Sequence, residues 1–257
     1  MSDTRHILPE ANAFTLIELL TVIAIIGILA AMTLAVINMV MVRGKKMQAT
    51  TDIAGIQGAI ASYEQTYGVP PVSAAMQQSG FTNITCGGTY VNDSNTRWPP
   101  SPMPVNYEPG NSNIISILMD ITNFPGGGPT ANANHQKNSR QQIFLDAKMR
   151  SDTSSPGVGT DLNFRDPWGN PYIITIDLNE DNKCEDPFYS LPAVSASPGG
   201  SGLNGLILQP DGNYAFHGNV MVWSMGPDGP FNHSPSSFDP TQPANAGPNK
   251  NHILSWQ

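Results

Sequence analysis

The sequence predicts an α+β fold in which one long N-terminal helix packs against a small antiparallel sheet with large loops. Three observations carry this prediction. Residues 19–42 are apolar, without an ionisable side chain or a proline; residues 53–67 repeat large apolar side chains at helical spacing; and the rest of the chain is rich in glycine, proline and short strand-like runs. Helical periodicity followed by short, turn-bounded strands is typical of a helix packed on a sheet.

The first half of the long helix, residues 14–42, is predicted to cross a membrane. Its uninterrupted apolar part exceeds the roughly 20 residues that a helix needs to cross a hydrocarbon core. A cleavable secretory signal is the competing interpretation, but such signals have an apolar core of only about 7–15 residues and a small-residue cleavage site after it. A transmembrane helix fits the length better.

The second half, residues 43–67, is predicted to be amphipathic and to carry the head domain, residues 68–257. Large apolar side chains recur three and four positions apart, which places them on one helix face. Gly68 and the prolines at 70 and 71 then supply a helix stop. The predicted stripe consists of Ile53, Ile56, Ile60, Tyr63 and Tyr67.

Net charge argues against a nucleic-acid partner. The chain carries a formal net charge of −8 at pH 7, whereas binding to a phosphate backbone requires clustered cations. Its basic cluster, Arg43, Lys45 and Lys46, directly follows the apolar run. The positive-inside rule taken alone would therefore place the head in the cytoplasm.

The stretch "AFTLIELLTVIAIIGILAA", which starts at Ala13, resembles the N-terminal cleavage and methylation segment of type IV pilins and type II secretion pseudopilins. The resemblance implies a leader at residues 1–13, cleavage by a prepilin peptidase between Ala13 and Phe14, N-methylation of Phe14, and an assembly role for the carboxylate of Glu18. The family usually has glycine where Ala13 stands. Many members also have a proline in the apolar span, which this chain lacks.

The same resemblance implies a location and partners. The protein would sit in the inner membrane as a single-pass protein with its head outside the cytoplasm, and would become part of a periplasmic or surface filament. Its partners would be copies of itself, other pilin-like subunits and the prepilin peptidase. Because the motif is more specific than the charge rule, we adopt this orientation.

Short elements are predicted within the head. "DPWGNPY" and "VWSMGPDG" resemble segments of major pseudopilins, and Asp211-Gly212 is a turn signal between two apolar runs. We expect helices at Ile114–Ile121 and Arg140–Met149, and strands at Tyr172–Ile176, Leu206–Leu208 and Val220–Trp223.

Two loops are candidate calcium sites. The resemblance of "VWSMGPDG" places Asp228 at a pseudopilin calcium site, although Lys250 and Asn251 stand where that family has carboxylates. The second candidate is Asp177, Asn179 and Asp181, whose D-x-N-x-D spacing lets alternate oxygens converge on a hard cation. The alternative for this second loop is a polar turn in which the side chains bind their own backbone.

The two cysteines, Cys86 and Cys184, could form one disulfide in an exported head, or they could be two unrelated thiols. No nucleophile elbow, metal-binding histidine pair or phosphate-binding glycine loop occurs in the sequence. This argues against an enzyme, and the resemblance to pilins and pseudopilins implies a structural subunit of a pilin-like filament or secretion pseudopilus. The alternative is a minor binding or adhesion subunit with a calcium-organised head.

Overall fold

The computed structural model describes residues 15–91, 97–99, 103–198, 202–228 and 238–256. The chain divides into two units, Met1–Gly44 and Lys45–Gln257, here called the N-terminal unit and the head unit. Over the described residues, no helix is both long and apolar enough to cross a membrane. The span predicted over residues 14–42 stays a prediction.

The described elements follow one another as long helix, short strands and small helices. The helices are α1 (Leu16–Tyr67), α2 (Ala74–Gln77), α3 (Ser112–Leu118) and α4 (Pro192–Ser195). The strands are β1 (Asn83–Cys86), β2 (Tyr90–Val91), β3 (Arg97–Trp98), β4 (Tyr107–Glu108), β5 (Gly157–Val158), β6 (Phe164–Arg165), β7 (Ile173–Asp177), β8 (Ile207–Leu208), β9 (Tyr214–Ala215), β10 (Val220–Ser224) and β11 (Ile253–Leu254).

Helix α1 ends where the sequence predicts. Gly68 follows its last residue with a φ of 69°, in the left-handed region that glycine adopts without steric cost. The Gly68 N–H donates to the Glu64 carbonyl at 2.7 Å, and Pro70 and Pro71 then prevent the helix from continuing. The predicted stop is confirmed.

The central sheet has the strand order β11-β10-β7-β1-β4. Strand β7 pairs antiparallel with both β1 and β10, and β10 pairs antiparallel with β11. The pair β1–β4 is parallel, so the sheet is mixed and not wholly antiparallel as predicted. The α+β architecture itself is confirmed.

The stripe of α1 covers one face of this sheet. Ile53, Ile56, Ile60 and Tyr63 are all at most 2% exposed. They share a core with alternate strand residues such as Ile84, Ile174 and Val222, which occupy one face because side chains alternate along a strand. The opposite face is covered by a second, aromatic-rich core that includes Phe188, Tyr189, Trp223 and Phe238.

Two predicted elements of the head are wrong in detail. Residues 140–149 form no helix, because the N–H groups of Phe144 and Leu145 both donate to the carbonyl of Leu118, at 2.8 and 3.1 Å, and not to carbonyls within the segment. The predicted strand Leu206–Leu208 forms as β8, but it pairs with β9 in a separate hairpin and does not join the central sheet. The helix predicted at Ile114–Ile121 forms as α3, but it begins two residues earlier, at Ser112, and ends three residues earlier, at Leu118.

Candidate functional site

The N-terminus of α1 is closed by a reciprocal pair of side chains, Thr15 and Glu18. The backbone N–H and the hydroxyl of Thr15 donate to Oε2 of Glu18 at 2.9 and 2.7 Å, and the N–H of Glu18 donates to the Thr15 hydroxyl at 3.3 Å. This is a capping box, which satisfies N–H groups that have no partner within the helix. The sequence signal T-x-x-E was present but was missed, because Glu18 was considered only as an assembly residue.

The other residues assigned to processing, Ala13 and Phe14, lie outside the described residues. Among the described residues, the helical hydrogen bonds of α1 include the Leu19 N–H donating to the carbonyl of Thr15 at 3.2 Å. Glu18 therefore lies in the first helical turn, where a negative charge also interacts favourably with the helix dipole. Its predicted role in assembly depends on contacts between subunits and stays a prediction.

The apolar side chains that follow Glu18 are exposed. Leu19, Ile25 and Leu29, for example, are 59%, 58% and 58% exposed. Isolated exposed apolar side chains are common on soluble proteins, but a continuous exposed series marks a surface that is covered by lipid or by another protein. The large exposed apolar residues between positions 16 and 42 are Leu16, Ile17, Leu19, Leu20, Val22, Ile23, Ile25, Ile26, Ile28, Leu29, Met32, Ile37, Met39, Val40, Met41 and Val42.

The D-x-N-x-D loop directs its first carboxylate toward its own backbone. Oδ1 of Asp177 accepts the N–H groups of Asn179 and Glu180, and Oδ2 accepts the N–H of Asn182 at 2.9 Å. Burial raises the pKa of Asp177, an effect that these backbone donors oppose. As placed, the carboxylate organises a polar turn, which is the alternative interpretation of this loop.

Calcium binding stays a prediction at both loops. Of Asp228, the structure describes only the backbone, in the turn Gly226–Asp228. Within the described residues, no group of three or more His, Cys, Asp or Glu side chains is arranged to bind a metal ion. A calcium ion would need oxygen ligands that converge at 2.3–2.6 Å.

The two cysteines are not joined in the structure. Cys86 and Cys184 are free and buried. Cys86 lies opposite Ile174 on the helix-covered face of the sheet, whereas Cys184 belongs to the aromatic-rich core on the other face. The sheet therefore separates them, and burial raises the pKa of both thiols.

Two fully buried carboxylates of the head, Asp166 and Asp186, have structural roles that were not predicted from the sequence. Asp186 accepts the N–H groups of Phe188 and Tyr189, the Thr175 hydroxyl and the indole N–H of Trp223, all within 3.0 Å. Because four donors surround it, this carboxylate connects the loop after β7 to β10.

Asp166 has a similar role at the turn before β7. It accepts from the Ser224 hydroxyl and from the backbone N–H groups of Trp168 and Asn170, both at 2.9 Å. Both buried aspartates precede a proline. This Asp-Pro pattern is a turn signal that could have identified them.

Comparison with known proteins agrees with the N-terminal segment. Residues 10–34 match the family described as the prokaryotic N-terminal methylation motif. Over 81 residues the chain is 42% identical to "Fimbrial protein EcpC" of Eikenella corrodens. The matched segment covers 32% of this chain and 51% of that protein. The match thus spans about half the length of this relative. No solved structure matches the chain.

The chain is therefore one that carries a prepilin-type N-terminal methylation segment, as the sequence resemblance predicted. Together with the fimbrial relative, this segment supports a more particular description, a pilin-like structural subunit. Both findings indicate a structural protein.

Proposed function

We propose that this protein is a structural subunit of a pilin-like filament or of a type II secretion pseudopilus. In this proposal a prepilin peptidase cuts between Ala13 and Phe14, Phe14 is methylated, and the subunit assembles through α1. The observation that carries the proposal is the methylation motif at residues 10–34, continued by the exposed apolar series of α1.

The exposed series explains why the subunit needs two environments. Burying apolar surface contributes roughly 25 cal/mol per Å², so a helix half that is apolar on all sides gains stability wherever all sides are covered. Before assembly, the inner membrane would cover it, with the head outside the cytoplasm. After assembly, neighbouring copies and other pilin-like subunits would cover it. Repeated head-to-tail contacts of this kind give an open helical filament when they do not close into a ring.

Glu18 would set the register between subunits. Cleavage before Phe14 creates a positive amine, which the Glu18 carboxylate of a neighbouring subunit can pair with. At about 4 Å such a pair gains roughly 4 kcal/mol at an effective dielectric of 20, before the cost of desolvation is subtracted. Both donors of Thr15 go to Oε2, so Oε1 can still accept from an amine.

The charge role and the capping role of Glu18 can be separated by substitution. Glu18→Gln removes the charge but keeps an oxygen that can complete a capping box, while Thr15→Ala removes the capping hydroxyl and keeps the charge. We expect that Glu18→Gln and Glu18→Ala both enter the membrane but form no filaments, and that Thr15→Ala assembles. The measurements are membrane fractionation and the yield of sheared filaments. Normal filaments from Glu18→Ala would contradict the proposal.

Processing is tested on the same filaments and membranes. In cells with a prepilin peptidase, mass spectrometry should find a mature chain that begins with N-methylated Phe14. Ala13→Gly, which restores the residue usual in the family, should be cut at least as fast as the wild type. An uncut chain in mature filaments would contradict the assigned cleavage site. A chain found at only a few copies per filament would be a minor subunit and not the main one.

A further inference from the structure

The loop between Phe238 and Asn249 has an unusual shortage of backbone donors. Pro240, Pro243 and Pro248 lie within it, and each proline lacks an N–H group. A segment with this composition cannot hold itself by a regular hydrogen-bond ladder. Short turns hold only parts of it: the N–H groups of Gln242 and Ala246 donate to the carbonyls of Asp239 and Pro243, at 3.2 and 3.0 Å. Closing the loop as a whole needs a donor that reaches several of its carbonyls.

The side-chain amide of Asn249 is such a donor. Its side chain belongs to a residue that is only 2% exposed. Nδ2 donates to the carbonyl oxygens of Asp239 at 2.8 Å and Gln242 at 2.9 Å, with that of Pro243 at 3.4 Å, and Oδ1 accepts the Asp239 N–H at 2.8 Å. One amide therefore joins both ends of the loop and its middle.

Three carbonyl oxygens that converge on one point are also the ligands that a hard cation uses. The carboxylate of Asp239 is occupied by other donors, because it accepts the N–H and hydroxyl of Thr241 at 2.9 and 2.6 Å and the side-chain amide of Gln242 at 2.9 Å. The distances from Nδ2 to the carbonyl oxygens, 2.8–3.4 Å, suit N–H donors, whereas calcium requires 2.3–2.6 Å.

We infer that the side-chain amide of Asn249 holds the loop of residues 239–248 closed in the position that a cation would otherwise take. The resemblance to pseudopilins implies calcium in this C-terminal region, with carboxylates where Lys250 and Asn251 stand. The residues around Asn249 do not fit that expectation. The two N–H groups of a neutral amide replace the charge of an ion, so the closure of this loop is independent of calcium.

The test uses the full-length protein in detergent, in one buffer with a chelator and in another with excess calcium. Two quantities are measured in each buffer: the thermal stability, and the limited proteolysis of residues 239–248. In wild type, protection of this loop should be the same in both buffers. Asn249→Ala should lower Tm by about 4–8 °C in both and expose the loop to protease. Asn249→Asp should be destabilised in chelator, because its carboxylate faces carbonyl oxygens, and restored by calcium.

Asn204→Asp is the matched control. It makes the same chemical change at a turn where φ is 55°, a conformation that Asp tolerates, and it should leave the loop protected in both buffers. Loss of wild-type protection in chelator would overturn the inference, as would an Asn249→Ala variant as protected as wild type. If calcium does not restore Asn249→Asp, the position is not one that a cation can take and the inference fails.

Discussion

The two halves of α1 belong to one continuous helix, yet their side chains have opposite surroundings. In the N-terminal unit Ile25 is 58% exposed, whereas in the head unit Ile60 is fully buried. Both are isoleucines in helical conformation, so helix propensity cannot distinguish them. The difference lies in the pattern around each residue, which is apolar on every side before residue 43 and a single stripe after it.

We expect the two halves of α1 to have different roles, one in the stability of the head and the other in the proposed assembly of subunits. A helix with one apolar stripe needs one surface, and the central sheet provides it. A helix that is apolar on all sides must be covered on all sides. The described core of the head unit does not use this half of the helix. Substitutions in the second half should therefore change folding of the head, and substitutions in the first half should change assembly.

The largest expected effect comes from Ile60→Ala. Ile60 is 0% exposed in the core between α1 and the sheet, and removing a buried isoleucine side chain to alanine costs about 2–5 kcal/mol. The measurement is denaturation in detergent followed by tryptophan fluorescence. All four tryptophans lie in the head unit, so this signal reports unfolding of the head.

Ile25→Ala is the matched control, since it removes the same atoms from an exposed position. We expect the head of this variant to unfold at the wild-type midpoint while its filament yield falls. If Ile25→Ala destabilised the head as much as Ile60→Ala does, the proposed separation of stability from assembly would be wrong.

A second prediction concerns pH and applies to the head unit. Burial raises the pKa of the Asp166 carboxyl to about 6, against the opposing effect of its hydrogen bonds. The folded state thus holds this proton more tightly than the unfolded state. Its stabilising contribution is complete below the unfolded pKa near 4 and is lost as pH rises through 6, which amounts to about 3 kcal/mol.

Asp166→Asn isolates this contribution, because asparagine does not titrate. The difference in unfolding free energy between wild type and Asp166→Asn should shift by about 3 kcal/mol against the wild type between pH 3.5 and 7. The measurement is chemical denaturation at a series of pH values. A difference that does not change with pH would show that Asp166 has the same pKa in the folded and unfolded states.

Sequence reasoning succeeded where the signal is local and failed where it is not. The stripe of α1 and its stop at Gly68 follow from spacing and from one residue's conformational freedom, and both were predicted. The irregular conformation of residues 140–149 depends on the carbonyl of Leu118, which no local pattern reveals. The same holds for Asp186, whose donors include Trp223 from a strand far along the chain.

The capping box at the start of α1 is a different case. The signal was local, but a single function had already been assigned to Glu18. The contacts of Thr15 show that this carboxylate also has a role within its own subunit. A residue that fits a family motif can therefore carry a second, purely structural role that its spacing already indicates.

The smallest expected effects come from glycines, and they differ in sign. Gly58 lies within α1, and an added Cβ would meet no atom within 4 Å. Gly58→Ala should therefore stabilise the head by about 0.5–1 kcal/mol, because alanine has less conformational freedom to lose. Gly68 has equally open space but a φ of 69°. Gly68→Ala should destabilise the head by about 1 kcal/mol, since an L-residue is strained there.

Gly27→Ala completes the comparison in the N-terminal unit. Gly27 is also helical with open space around it, so local helix propensity improves by the same amount as at Gly58. Tryptophan fluorescence should nevertheless show no change in the unfolding midpoint of the head, because the described residues of the core under α1 begin at Ile53. If the midpoint rose as we expect for Gly58→Ala, the two halves of α1 would unfold together. The two halves would then differ in the exposure of their side chains but not in their contribution to the stability of the head.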